Sequence, residues 1–500
     1  LRFHRHPLFL GLLGIALAAM AYAIIPGEEH PNAPWMAALI TLMASWWIFE
    51  VVPVPVTSLF PLIAMPALGI CKIDDTAAYY GDKIIFLFMG GFMLALALQN
   101  SGLHKRISLH IVRIIGTQPS RLVLGFILAT GFLSMWISNT ATVMVMLPIA
   151  LSVVKESEPL MGEKDARRFA LCLMLGIGHA ADIGGMATYV GTPPNLAFQE
   201  LFHKSFPEGP TPSFAQFSAV GAPLSIVFLL VSWLLLTQVF FRFKGSAKVD
   251  NRHIVRNALA ALGPIRRDEV MTGAIFAFTA LLWITGSDIE IGQKVIHGWR
   301  SLTGLTALSD PLVAIVGALL LYLIPSGDRP GKRLMEWSHT KELPWGILLL
   351  FGGGFAIAGG FDKSGLSALA GEAFNHLHVG SPLVMVLVVC IAVVIITEVM
   401  SNTACVALVM PILAQAAISM EVHPLLFMLP ATFAATSGFM MPVSSPTQAI
   451  IFGTGYIPIR KMIWTGLWFD LVAVLLITLV TFAIGEVVFH FSGGMPAWAK

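Results

Sequence analysis

Charged side chains are scarce: Asp, Glu, Lys and Arg make up 12% of the 500 residues, against 56% hydrophobic, and the mean hydropathy is +0.81. A soluble chain of this length would have too little charged surface to cover its core, so the composition is that of a polytopic membrane protein. Cysteine is scarce too. The four present (Cys71, Cys172, Cys390, Cys405) are scattered, and all but Cys71 lie in apolar stretches. They behave as small buried apolar side chains, which argues against a disulfide framework and a metal site. The net charge of +2 comes from basic residues set between apolar runs; they form no stripe, which excludes a nucleic-acid partner. HExxH and G-x-S-x-G patterns are missing, so nothing marks an enzyme.

What is present is a polar triplet that occurs twice inside hydrophobic sequence, as Ser138-Asn139-Thr140 and Ser401-Asn402-Thr403, 263 residues apart. The surroundings repeat at the same offset. Phe88-Met89-Gly90-Gly91-Phe92 recurs as Phe351-Gly352-Gly353-Gly354-Phe355, Ser101-Gly102-Leu103 as Ser364-Gly365-Leu366, and Pro148 as Pro411. One offset carries 84–148 onto 347–411 without a gap, which predicts two homologous halves built around equivalent polar tips.

In chain order, residues 1–25 carry Arg2 and Arg5 before an apolar run ending in Ala21-Tyr22-Ala23. That pattern resembles a cleavable signal peptide, but a first transmembrane helix is preferred because further spans follow. Spans are predicted near 34–52, 54–70 and 84–101, with Pro53, Pro55, Pro61 and Pro66 punctuating the second and third. From Leu122 to Val154 the triplet sits at mid-length, where three polar side chains facing lipid would be costly; a re-entrant hairpin explains both length and polarity. Residues 169–200 form a span broken at Gly184-Gly185 and at Gly191-Thr192-Pro193-Pro194-Asn195. After a span at 218–241 comes the basic connection 242–267, placed on the cytoplasmic side. Spans near 269–286 and 310–326 precede the repeat: 345–361, a hairpin at 382–418, a broken span at 424–455, and a last helix at 461–490. The segments are therefore 1–83, 84–217 (first repeat), 218–346, 347–460 (second repeat) and 461–500. With the N-terminus inside, an odd number of crossings puts the C-terminal tail outside.

Half-helices meeting at mid-membrane bring together free carbonyls at one end and free N–H groups at the other. Carbonyls suit a hard cation and N–H groups an anion; Ser, Asn and Thr add neutral oxygens and amide donors, so the tips can hold Na⁺ beside a carboxylate. No Lys or Arg lies near either triplet, so a dianion must be neutralised by dipoles and co-bound cations. One such triplet serves equally well to pack helices. Two at equivalent positions, each followed by a Gly/Pro-broken span, point to a secondary transporter's binding site. Glu50, Asp182, Glu398 and Asp470 lie in or beside apolar runs, where an acid is functional by default. Glu398 is open to a direct role or to a structural hydrogen bond near the hairpin tip. His179 reads as a packed polar residue.

The paired SNT triplets, the GTPPN break at 191–195 and MPVSSPTQAIIFGTG at 441–455 resemble the divalent anion/sodium symporter family, the INDY-type di- and tricarboxylate transporters, over about residues 34–490. The resemblance implies an all-α fold of eleven transmembrane helices in two inverted repeats with two re-entrant hairpins. It also implies a scaffold domain forming a homodimer, and a transport domain that carries substrate and Na⁺ by an elevator-like movement. Carried over residue by residue, it implies a first sodium site at Ser134, Ser138, Asn139 and Gly191. The second would use Thr397, Asn402 and the carbonyls of Met400 and Ser444. Carboxylates would meet Asn139, Thr140 and Thr192 from one half, and Ser401, Asn402, Thr403, Ser445 and Pro446 from the other. Where the family has Pro-Pro-Asn in the second half, this chain has Pro446-Thr447-Gln448. Thr447 restores an N–H and frees its φ, so the Ser444 carbonyl is expected to be held less rigidly and to bind Na⁺ less well.

The reading is a secondary active transporter of the inner membrane that moves C4-dicarboxylates such as succinate, malate or fumarate with Na⁺ as the co-transported ion, with lipid and a second copy as partners. A sodium-independent di/tricarboxylate exchanger on the same fold is the nearest alternative, and sulfate or citrate are alternative cargoes. From another class, an intramembrane hydrolase using Ser444 or Ser445 with His179 requires that nucleophile and base touch. An anion channel would show rings of Arg or Lys.

Overall fold

The computed structural model describes residues 7–116, 118–242, 252–291, 294–375 and 381–499. Arg2 and Arg5, and Lys244, Lys248 and Asp250 of the basic connection, lie outside them. The polarity is the reverse of a water-soluble protein's. Leu319, Leu475 and Ile395 are 53%, 63% and 62% exposed on outward helix faces, whereas Asp182, His179 and Glu398 are buried. A hydrocarbon solvent makes that distribution favourable, and in it a helix satisfies its own backbone within one segment. Among the described residues, six helices are long and apolar enough to cross a membrane, from Ile73–Ser101 to Ile459–Phe489, and shorter apolar helices such as Pro119–Ser134 and Pro382–Thr397 accompany them. The chain is an all-α polytopic membrane protein, with one short β-hairpin pairing Ile289 with Ile296.

Both expected hairpins form as helix–turn–helix units. The first runs Pro119–Ser134, turns through 135–138, and returns as Asn139–Ser157; the second runs Pro382–Thr397, turns through 398–401, and returns as Asn402–Ser419. An entering arm of 16 residues is about 24 Å long at about 1.5 Å per residue, short of the roughly 30 Å hydrocarbon core. Each entering arm opens on a proline, Pro119 or Pro382, where the missing N–H costs nothing.

Both broken spans form as well: Glu163–Gly185 resumes as Pro193–Ser205, and Leu425–Ala435 resumes as Pro446–Gly453. The residues that restart the helices, Thr192 and Ser445, share an extended backbone at φ −144°, ψ 144° and φ −149°, ψ 155°, which a following proline imposes. Asn139 stands 54 residues before Pro193, but Asn402 only 44 before Pro446. The shortfall lies in the helix entering the break, 23 residues long in the first half and 11 in the second. Phe88 and Phe351, equivalent under the repeat, stack on each other with ring centroids 4.0 Å apart. A residue that touches its own counterpart lies where a pseudo-twofold axis would pass.

Three features depart from the sequence reading. The span expected at 54–70 is two short helices, Val54–Thr57 and Phe60–Ala67; Pro61 has no N–H to offer the Thr57 carbonyl four residues back, so the first helix stops there, whereas Pro66 lies inside the second. Beyond 101, the polar stretch forms a helix, Leu103–Ile115, with a repeat counterpart at Leu366–Asn375. It buries His104, Ser108 and Val112 at i, i+4 spacing, and is preceded, as is its counterpart, by a left-handed glycine, Gly102 (φ 84°) or Gly365 (φ 79°), a conformation that spares glycine alone the Cβ clash. The basic connection holds a helix at Arg252–Ala261. Arg106 of Leu103–Ile115 ties this region down, pairing with Glu269 and donating to the carbonyls of Gly263 and Pro264 at 3.1 Å each.

The first hairpin packs against Glu163–Gly185 at backbone contact. A Cβ on Gly184 would lie 2.3 Å from the Gly131 carbonyl oxygen, and neither backbone can yield without moving its helix. Gly184→Ala is expected to lower stability by about 1–3 kcal/mol, seen as a lower melting temperature of the purified protein in detergent; an unchanged melting curve would refute this packing.

Candidate functional site

Helix ends, not helix faces, make the site. Where Pro119–Ser134 ends and Asn139–Ser157 begins, Ser134 Oγ donates to Asn139 Oδ1 at 2.9 Å, and Asn139 Nδ2 donates to Asp182 Oδ1 at 3.0 Å and more weakly to Thr192 Oγ1 at 3.5 Å. The break after Gly185 folds back onto this tip. A Cβ on Gly191 would lie 2.5 Å from the Gly185 carbonyl oxygen and 2.9 Å from that of Ser134, and one on Gly185 would lie 2.6 Å from Asn139 Oδ1. Glycine at both positions thus lets the carbonyls of Ser134 and Gly185 and the amide oxygen of Asn139 crowd together. Asn195 Nδ2 holds the break in shape, donating to the carbonyls of Gly185 and Thr188 at 2.9 and 2.7 Å.

The second tip mirrors the first. Thr397, standing where Ser134 stands, has Oγ1 2.9 Å from Asn402 Oδ1 and donates to the Ala435 carbonyl at 2.6 Å. In this orientation Asn402 Oδ1 also faces the carbonyls of Ala435 and Ser444 at 3.2 and 3.1 Å. Four oxygens then share one hydroxyl proton. Two arrangements satisfy them: the amide turned so that Nδ2 donates to the carbonyls, or a cation among the oxygens with Oδ1 turned inward. One amide, one hydroxyl and two carbonyls are hard, neutral donors of the kind that coordinate Na⁺ at broken helices.

Between the tips lies a cavity of about 880 Å³, lined by Thr140, Thr192, Ser401, Thr403, Ser445 and Pro446 among others. The charged side chains among its described lining residues are Glu50, Asp182 and Glu342, with no Lys, Arg or His. A multivalent anion therefore meets here only neutral polar groups and carboxylates, and requires cations brought with it.

The structure thus brings together Ser134, Asn139, Gly191 and Thr192 at one tip, Thr397, Asn402, Ser444 and Ser445 at the other, with Thr140, Ser401, Thr403 and Pro446 around the cavity. Ser138 Oγ caps its helix by accepting from Ala141 N at 3.4 Å, and Met400, expected to act through its carbonyl, has its side chain packed in the core. Sequence reasoning missed the Ala435 and Gly185 carbonyls. A second offset of 253, set by aligning the breaks on Pro193 and Pro446, carries Asp182 onto Ala435 and could have found it.

Asp182 is the junction of the two halves. Beside Asn139, its carboxylate accepts from Thr447 Oγ1 at 2.9 and 2.8 Å, Ser445 Oγ at 3.2 Å and Gln448 Nε2 at 3.0 Å. This corrects the expectation that Thr447 leaves its segment loose. The hydroxyl that replaces a proline ring is anchored, Thr447 is buried, and Ser445 and Thr447 hydrogen-bond each other at 2.5 Å. Glu398 takes the structural of its two readings: Oε1 and Oε2 accept from the N–H groups of Met440 and Met441 at 2.8 and 2.9 Å, pinning the second break to the second tip. His179 packs between the rings of Phe439 and Phe469, at 4.9 and 4.5 Å, with Nδ1 against Gln448. Ser444 Oγ donates to the carbonyls of Gly438 and Met441, and Ser445 Oγ to Asp182. Neither serine uses His179, so the nucleophile–base contact a hydrolase needs is not made.

Comparison with known proteins agrees with this architecture. The model of the "sodium:sulfate symporter transmembrane region" matches residues 9–491. The sodium-dependent dicarboxylate transporter SdcS of Staphylococcus saprophyticus is 38% identical over 481 residues, covering 94% of this chain and 91% of the relative. SdcS of Staphylococcus aureus strain MRSA252 is 38% identical over 495 residues, covering 97% and 93%. Among solved structures, the Alcanivorax borkumensis YdaH transporter (TM-score 0.53, 14% identity, 96% and 97% covered) and Neisseria gonorrhoeae MtrF (0.55, 13%, 96% and 96%) share the fold. With a family model spanning nearly its whole length and relatives matched over more than nine-tenths of theirs, the chain belongs to the sodium:sulfate symporter family, the divalent anion:sodium symporters.

Proposed function

We propose that this protein is a secondary active transporter that couples the movement of C4-dicarboxylates, succinate, malate or fumarate, to Na⁺ through the cavity between the two SNT tips. One observation carries the reading: the cavity offers a dianion no cationic side chain, yet flanks it with two clusters of hard neutral oxygens. Sodium ions at those clusters supply the missing positive charge, so ion and anion bind together or poorly. Ser134, Asn139 and Gly191, with Ser138, serve the first ion, and Thr397, Asn402, Ser444 and Met400 the second. Asn139, Thr140 and Thr192 face Ser401, Asn402, Thr403, Ser445 and Pro446 across the anion. The sodium-dependent dicarboxylate transporters to which the chain is 38% identical support this cargo and this ion.

In this reading 84–217 and 347–460 move as a transport domain against a scaffold of 1–83 and 218–346, and 461–500 is the last transmembrane helix and tail. The scaffold pairs two copies in the inner membrane, in contact with lipid, and the two halves relate as inverted repeats of an eleven-span fold. The test is uptake of labelled succinate into proteoliposomes with and without an inward Na⁺ gradient. Uptake is expected to need external Na⁺; uptake driven by internal dicarboxylate and indifferent to Na⁺ would make the protein an exchanger instead.

A further inference from the structure

Asn139 and Asn402 are repeat equivalents, but what stands behind them is not. Behind Asn402 is Ala435, which offers only a backbone carbonyl. Behind Asn139 is Asp182, a carboxylate 1% exposed. An amide has a donor end and an acceptor end and can turn; an ionised carboxylate only accepts. Asn139 must therefore present Nδ2 to Asp182, at 3.0 Å, which turns Oδ1 toward Ser134 and Gly185. Asp182 in turn cannot swing away, because Ser445, Thr447 and Gln448 hold its oxygens from the other half. One hydroxyl proton bridges Ser445 and Thr447, which leaves the other hydroxyl proton and the amides of Asn139 and Gln448 to donate to the carboxylate, a set that suits the ionised form, and no Lys, Arg or His is among the described residues lining the cavity that Asp182 shares.

Resting on the sodium-symport reading above, we propose that Asp182 is a positioning residue of the first ion site. It locks the Asn139 amide with its oxygen toward the ion, and its negative charge makes this site bind Na⁺ more tightly than the site at Asn402. The same charge repels the dianion, so Asp182 favours the cation without improving the anion's own contacts.

The test measures Na⁺ activation of succinate uptake in proteoliposomes for the unmodified protein, Asp182→Asn and Thr447→Val. Asp182→Asn keeps the shape and removes the charge, and is expected to raise the Na⁺ concentration for half-maximal uptake by about tenfold, equivalent to about 1.4 kcal/mol, with KM for succinate at saturating Na⁺ not raised, since the repulsion of the dianion is removed with the charge. Thr447→Val removes one donor to the same carboxylate and keeps the charge; its Na⁺ requirement is expected to stay within twofold. Asp182→Ser, a second neutral variant with the same expectation, is used where the asparagine variant does not yield folded protein. An unchanged Na⁺ requirement in the neutral variants, or an equal shift in Thr447→Val, overturns the role of Asp182 and leaves sodium symport standing. Uptake by the unmodified protein that ignores Na⁺ overturns the symport reading, and this inference with it.

Discussion

Asn139→Ala and Asn402→Ala each abolish sodium-driven uptake of succinate, by about a hundredfold or more, while the protein still purifies as a folded species. The size follows from each amide serving both cargoes. A hydrogen bond or ligand contact to a charged group is worth about 1.5–3 kcal/mol, so losing one to the ion and one to the anion costs about 3–6 kcal/mol, on the order of 10² to 10⁴ in affinity. Folding is less affected because the tips contribute little apolar burial; the hairpin arms are held by residues such as Phe126, Ile127, Val393 and Val394 in the core. The two variants differ in what remains. Asn139→Ala removes one of the two amide donors of the buried Asp182 carboxylate, whereas Asn402→Ala leaves two carbonyls and the Thr397 hydroxyl, so the first variant is expected to be the less stable. Uptake near the unmodified level by either one removes the shared-site reading.

Succinate alone does not stabilise the protein, but succinate with Na⁺ does. Without sodium, a dianion entering the cavity meets Glu50, Asp182 and Glu342 and no cationic side chain among the described lining residues, so its desolvation is not repaid. With sodium at the tips, binding to the folded state alone raises stability by about 2.7 kcal/mol at a ligand concentration of 100 Kd. The check is the melting temperature in detergent with choline or sodium chloride at equal ionic strength, each with and without succinate. An upward shift in choline equal to that in sodium contradicts ion-dependent binding. Equal ionic strength matters, since screening of the three acids would otherwise imitate a specific ion effect.

Much of this was legible from residue order. Three polar side chains in mid-membrane have no inexpensive position facing lipid, so the hairpins at Ser138-Asn139-Thr140 and Ser401-Asn402-Thr403 followed from local chemistry, and prolines at 193 and 446 dictated the breaks. Helix Leu103–Ile115 was lost because its charges look like a loop until the buried spacing of His104, Ser108 and Val112 is traced. The segment 54–70 looked like one span because hydrophobicity alone does not say whether prolines kink a helix or split it.

Residue order by itself determined the membrane class, the two repeats, the hairpins, the breaks and most of the side chains at the tips, because each depends on nearest neighbours or on a fixed offset. Only the tertiary structure decided what Asp182, Thr447 and Gln448 do. These residues lie more than 260 positions apart, and Thr447 and Gln448 read as a defect in a proline motif until the carboxylate that anchors them is seen at 2.8 and 3.0 Å. Glu398 was settled in the same way, by two N–H groups some forty residues downstream. A buried polar group must find partners wherever the fold supplies them, and sequence shows the need for a partner without showing which distant segment meets it.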